Sequence, residues 1–273
     1  MKKVVQYILV FFFVIALLSQ WLGVEESNGE NGDDDATLQC TDSEVLDSTA
    51  TIGWTKFVNR AWRDNYSNDA YCIDYLTLAD DANQSTDYRF GMRAPRARSD
   101  NDYWGQVYAS FFQQDRDRLI FLEDSVRTII QSQNLDDLET IHYLVSMVQD
   151  IPYQYIMPES CEGFSDHPCV PNQRFGILTP VEFLFYLTGD CDTRTVLLYT
   201  LLTNFGYQPI IVNSVEYGHS MLAMNVPTSG DFIEHRGQRF YFWETTATGW
   251  APGMLPPDMN NTQYWQVVLD YQN

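Results

Sequence analysis

An α+β fold, with a buried helix packed on an antiparallel sheet, follows from three features of the sequence. Helical periodicity fills much of the stretch from Trp104 to Phe205. Runs of β-type residues follow Gly206, at Pro209 to Val212, His219 to Val226 and Arg239 to Thr245, and Tyr153 to Ile156 is a short extended piece before them. Between them, Gly189-Asp190-Cys191-Asp192-Thr193-Arg194 leads into an almost unbroken apolar run that ends at Phe205-Gly206. Asp190 is a good N-cap and Gly206 stands where a helix-ending glycine belongs, so Cys191 opens a three- to four-turn buried helix.

At the amino end, Lys2 and Lys3 precede the uncharged run Val4 to Val24, and about 20 apolar residues suffice to cross a bilayer. Trp21 and Leu22 are bulky and no Ala-x-Ala-like pair closes the run, so an uncleaved membrane anchor is expected in preference to a cleaved signal peptide. The positive-inside rule then keeps the two lysines in the cytoplasm and the rest of the chain outside it; cleavage would leave a secreted protein. Residues 25–50, centred on Asp33-Asp34-Asp35, read as an acidic flexible tether. Residues 51–130 form an aromatic-rich extension and residues 131–273 the domain that carries Cys191. A formal net charge of -21 excludes nucleic acid as a partner.

Thr51 to Arg98 holds Trp54, Trp62, Tyr71 and Tyr75 without a clean period, and Arg93, Arg96 and Arg98 read as a loop paired with carboxylates. From Trp104 to Ile130 apolar residues recur at helical spacing, interrupted around Asp115 to Arg118: one long helix or two short ones. Asn134 is expected to cap the next helix, whose apolar face is Leu138, Ile141, Leu144, Val145 and Val148 and which Pro152 ends. His142 lies off that face and is expected at the surface. Thr179-Pro180-Val181-Glu182 has the form of a capping box with Pro at N1, starting a short helix that runs to Gly189.

Of the five cysteines, Cys161 with Cys169 and Cys40 with Cys72 are the proposed pairs, one of three connectivities, leaving Cys191 free. A free buried cysteine is often a small hydrophobe. A helix N-terminus lowers a thiol pKa, whereas Asp190 and Asp192 oppose ionisation, so a reactive Cys191 requires a cationic partner. The histidines are His142, His167, His219 and His235. If the last two β-type runs are antiparallel neighbours, His219, Met221 and Ala223 share one side with Phe240, Phe242 and Glu244. Placing His219 opposite Glu244 then joins an imidazole to a carboxylate on an apolar face. His235, beside Arg236 in a polar loop, is the weaker base.

Gly189-Asp190-Cys191 opening a helix, Gly218-His219-Ser220 opening a strand and Phe242-Trp243-Glu244-Thr245-Thr246 ending another resemble the transglutaminase-like superfamily of papain-fold cysteine enzymes. The similarity spans roughly Leu138 to Pro257 and includes Val148-Gln149-Asp150-Ile151-Pro152-Tyr153. The resemblance implies a papain-like core in which Cys191 is the nucleophile, His219 the general base and acid, and Glu244 the orienting acid, a position where the family more often has Asp. It also implies an oxyanion site made by the Cys191 N–H and a second donor, Gln149 or Tyr153, with no cofactor. The reaction expected is acyl transfer from a protein or peptide substrate through a thioester, with water as acceptor in a peptidase or amidase and an amine in a cross-linker. A surface binding or scaffold protein that keeps the fold without turnover is the rival from another class. A metal hydrolase is disfavoured, since no His-x-x-x-His or Cys-x-x-Cys spacing occurs.

Overall fold

The computed structural model describes residues 48–64, 69–163 and 168–271. The expected anchor and nearly all of the expected tether lie outside the described residues, as do Cys40 and His167. Among the described residues no helix is long and apolar enough to cross a membrane. The fold mixes six described α-helices with two antiparallel sheets and one short parallel strand pair.

Strands β1 (Ser48–Ile52), β2 (Thr55–Arg63) and β3 (Ala70–Leu78) form an antiparallel meander in the region where the sequence shows no period. The period exists but is disguised. Val58, Arg60 and Trp62 are the buried residues of β2, and the middle one is charged. Arg60 is tolerated there because its guanidinium donates to the Met147 carbonyl and pairs with Asp150. In β3, Tyr71, Ile73, Tyr75 and Thr77 point inward, while Leu76 and Leu78 put apolar residues on the other face too.

Helix α1 (Ala79–Gly91) leads to an exposed irregular stretch, then to α2 (Asp100–Asp115) and α3 (Ile120–Gln133). The interruption at Asp115 to Arg118 thus separates two helices. Arg93, Arg96 and Arg98 do lie in a loop. Arg98 meets a carboxylate, its backbone N–H donating to Asp102 Oδ2 at 2.8 Å and, with its charge, lowering the Asp102 pKa, while among the described residues no ion pair within 4 Å is seen for Arg93 or Arg96. Helix α4 (Asp137–Gln149) is capped by Asp136, whose side chain accepts from the Leu138 and Glu139 amides while Glu139 reaches back to the Asp136 N–H. Asn134 instead ends α3 in a left-handed conformation, φ 52°. An asparagine suits either end of a helix, and here the better capping box two residues later takes the start. His142 is half-buried against the Trp243 ring rather than free at the surface.

Strands β4 (Tyr155–Ile156) and β5 (Cys169–Val170) pair in parallel, and Cys161 and Cys169 form the expected disulfide. Cys72 is also disulfide-bonded. Helix α5 (Pro180–Tyr186) has the expected capping box between Thr179 and Glu182; it stops before Gly189 because Leu187 turns left-handed, φ 54°. Helix α6 (Cys191–Asn204) is buried nearly all round and ends at Phe205-Gly206, with Gly206 at φ +89°.

The larger sheet has the order β10-β6-β7-β9-β8, from β6 (Pro209–Ser214), β7 (His219–Met224), β8 (Phe232–His235), β9 (Gln238–Trp243) and β10 (Gln266–Leu269). Its strands pair antiparallel throughout. One face, with Ile211, Leu222, Met224 and Trp243, joins a core that includes Val58 and Trp62 of β2, Phe111 of α2, Leu144 of α4 and Leu198 of α6. The other face packs Met221, Ala223, Phe240 and Phe242 against Leu255 and Trp265.

Candidate active site

The site is built around the first turn of α6. Asp190 caps it, its Oδ1 accepting from the Thr193 amide at 3.1 Å and the Thr193 hydroxyl at 2.8 Å. Gly189 is required one step earlier: a Cβ there would meet the Phe183 ring at 2.6 Å and the Thr193 methyl at 2.7 Å. Cys191 follows as the one free cysteine among the described residues, 8 % exposed. Its thiol and the His219 imidazole are close enough that each shifts the other's titration.

His219 is the first residue of β7, and its Nε2 lies 3.0 Å from Glu244 Oε2. That nitrogen is committed to the carboxylate, which leaves Nδ1 for the sulfur. The strands are antiparallel neighbours, as expected, but the register differs from the expected one. Ala223 stands opposite Phe242 and Leu222 opposite Trp243, a two-residue offset from a pairing of His219 with Glu244. A slip of two keeps every side chain on its face. Glu244 therefore still points to the side of His219, from one residue beyond the end of β9, and spans the offset with its extra methylene. Its other oxygen, Oε1, accepts from the Thr245 amide at 2.8 Å, the Thr246 amide at 2.8 Å and the Thr246 hydroxyl at 2.6 Å. The Trp265 ring packs edge-on against His219.

The two oxyanion-donor candidates are placed differently. Gln149 donates its side-chain amide to the Glu244 carbonyl at 2.7 Å, so it braces the acid. Tyr153 lies near Cys191, and burial, then the charge of Cys191, raise the pKa of its hydroxyl. His142 and His235 are engaged elsewhere, the first on Trp243 and the second 2.8 Å from Asp270.

Arg194 is a site residue that sequence reasoning did not single out. Fully buried, it donates to the carbonyls of Val148 at 2.7 Å, Gly189 at 3.2 Å, Gln149 at 3.4 Å and Thr245 at 3.4 Å, and also to that of Ile151. It joins the residue before Asp190 to the residue after Glu244 and to the end of α4. The Tyr153 ring lies 5.4 Å from its guanidinium carbon. The available signal was an arginine in the first turn of a helix that is otherwise apolar, since a buried guanidinium must find acceptors.

Electrostatics follow from burial and pairing. Burial alone would push the His219 ring toward neutrality, but its interactions with Cys191 and Glu244 outweigh this and hold its pKa well above the ordinary imidazole range. Burial opposes ionisation of Glu244, yet the contact with His219 and the Thr246 donors bring its pKa down to about 2. Burial, then the charge of Asp192, push the Cys191 thiol up, while His219 pulls it back part of the way. Burial raises Asp190 to about 7, with Asp192 adding to the effect, and lowers Arg194 to about 10. Among the described residues no group of three or more His, Cys, Asp or Glu side chains is arranged to hold a metal ion.

A buried sulfur, a ring and a carboxylate in series make a proton path from thiol to imidazole, with the ring's charged form stabilised from behind. Compared with protein-family models, with curated proteins and with solved structures, the chain gives no match.

Proposed function

We propose that this chain is a cysteine-dependent acyl-transfer enzyme with a papain-like, transglutaminase-like core, acting on a peptide or amide bond as a hydrolase. The observation that carries the reading is the line Cys191, His219, Glu244, assembled from the start of one helix and the facing ends of two strands. In the proposed reaction Cys191 Sγ attacks the carbonyl carbon as its proton passes to His219 Nδ1. The carbonyl oxygen takes up the negative charge, held by the Cys191 N–H and the Tyr153 hydroxyl, the better placed of the two candidate donors. The tetrahedral intermediate collapses to a thioester, and the departing amine takes the proton from His219. Water then attacks the thioester, His219 accepts its proton, and the acyl group leaves as a carboxylic acid while the thiol is restored. An amine in place of water would give cross-linking.

The Cys161–Cys169 disulfide suits an oxidising compartment, which supports placing the domain outside the cytoplasm, with residues 1–24 as its membrane attachment. The test is iodoacetamide modification of Cys191 at pH 7, followed by peptide mass. Since burial and Asp192 hold the thiol pKa up, activation must come from His219 taking the proton as the sulfur attacks; Cys191 of the folded protein should then react at least about tenfold faster than the same cysteine in urea, and His219→Ala should abolish the difference. A folded-state rate equal to or below the unfolded one overturns the reading. Profiling peptide substrates on the wild type against Cys191→Ala then identifies the acyl group, and product mass distinguishes water from an amine as acceptor.

A further inference from the structure

The strongest unassigned feature lies one residue along from the proposed triad. Asp192 follows Cys191 on α6, and Ser220 follows His219 on β7. Asp192 Oδ1 accepts from the Ser220 hydroxyl at 2.7 Å and, on the same oxygen, from the Tyr108 hydroxyl of α2 at 2.5 Å. Tyr108 and Ser220 are both fully buried. Consecutive strand residues face opposite sides of a sheet. His219 therefore approaches the helix tip from one side of β7 while Ser220 meets it from the other. The first two residues of α6 are held by the first two residues of β7.

We propose that Asp192, Ser220 and Tyr108 are positioning residues that set the separation between the Cys191 sulfur and the His219 ring. The inference rests on the acyl-transfer reading above. Electrostatic activation does not explain Asp192, because a negative charge beside the thiol opposes its ionisation. What Asp192 supplies is geometry: one oxygen fixes the strand start and a helix of the preceding region to the residue next to the nucleophile. Sliding β7 along α6 would break the Ser220–Asp192 bond together with the contact between Cys191 and His219. Trp104 stacks on Tyr108 with ring centroids 5.6 Å apart, which fixes the phenol.

The experiment is the pH profile of Cys191 alkylation by iodoacetamide in the full chain, with thermal unfolding of each variant recorded alongside. Asp192→Ala is expected to lower the plateau rate about tenfold or more, and Ser220→Ala and Tyr108→Phe, which each delete one hydroxyl, about three- to tenfold. Asp192→Asn keeps an acceptor oxygen but removes the charge, so its plateau should stay near the wild-type value while the acidic limb moves to lower pH. A purely structural role would lower melting temperatures and leave both plateau and limb in place. If the wild type is activated and His219→Ala is not, but Ser220→Ala, Tyr108→Phe and any folded Asp192 variant keep the wild-type profile, the positioning inference fails alone. If the wild type itself shows no activation, the acyl-transfer reading falls and takes this inference with it.

Discussion

Glu244 stands one residue past β9, and the length of its side chain decides what it does. One oxygen is used by the turn that follows, through Thr245 and Thr246, and the other by His219. An aspartate at this position is shorter by one methylene and cannot satisfy both sets of partners without moving the strand end. Glu244→Asp is therefore expected to slow Cys191 alkylation at pH 7 by about 10- to 100-fold, the cost of one charge-assisted hydrogen bond, while Glu244→Gln, which keeps the length and loses the charge, lowers the pKa of the ring. The same carboxylate makes stability depend on acid. Its folded pKa, about 2, lies below the ordinary carboxylate value, so its contribution is present above roughly pH 4.5 and is lost as pH falls toward 2. Unfolding curves of Glu244→Gln should lack that acid-dependent component; an unchanged acid slope would show that the pairing contributes nothing to the fold.

Helix α6 starts on a carboxylate whose chemistry runs the other way. The Asp190 cap is buried, and burial with Asp192 nearby raises its pKa to about 7. The folded protein then holds a proton that the unfolded chain releases, so stability falls as pH rises from about 4 through 7. Asp190→Asn keeps an oxygen for the Thr193 amide and cannot ionise. Relative to wild type it should gain roughly 2–4 kcal/mol between pH 4 and pH 8, visible as converging or crossing melting temperatures; a difference constant with pH would show that Asp190 titrates normally. This helix was legible in the sequence because its determinants are local: Asp190, the apolar run and Gly206 lie within seventeen residues of each other. So were the Thr179–Glu182 capping box and the break between α2 and α3. The facing of His219 and Glu244 was legible too, since it depends only on parity along two strands. Their register was not, because a two-residue slip preserves the pattern of faces. The β1–β2–β3 meander was hidden by Arg60 on its inner face, whose acceptors, Met147 and Asp150, lie about ninety residues away. Arg194, Tyr108 and Ser220 were missed for the same reason: their partners are distant in sequence, and composition carries no record of them.

The region before residue 131 bears directly on the candidate site. Its helix α2 crosses the last strand, β10, so closely that a Cβ on Gly105 would lie 2.3 Å from the Val268 carbonyl oxygen. Asn101, one turn before, accepts from Asn213 of β6 at 2.8 Å and donates to Gln266 of β10 at 2.7 Å. Tyr108, three residues after Gly105 and so on the same side of the helix, delivers its hydroxyl to Asp192. An early helix, the closing strand and the start of α6 thus share one contact region, and Gly105 sets how near they come. On propensity alone, alanine in mid-helix is favoured over glycine by about 1 kcal/mol. Here the atom it would strike is backbone, which cannot rotate aside, so the clash decides the sign. Gly105→Ala is expected to destabilise the protein by a net ~1–3 kcal/mol and to lower its melting temperature by several degrees. Because the displaced helix carries Tyr108, Cys191 alkylation in the folded variant should slow as well, and Tyr108→Phe should add little to that loss, since both changes act through one contact. Additive effects of the two substitutions would mean that α2 influences stability and the thiol by separate routes.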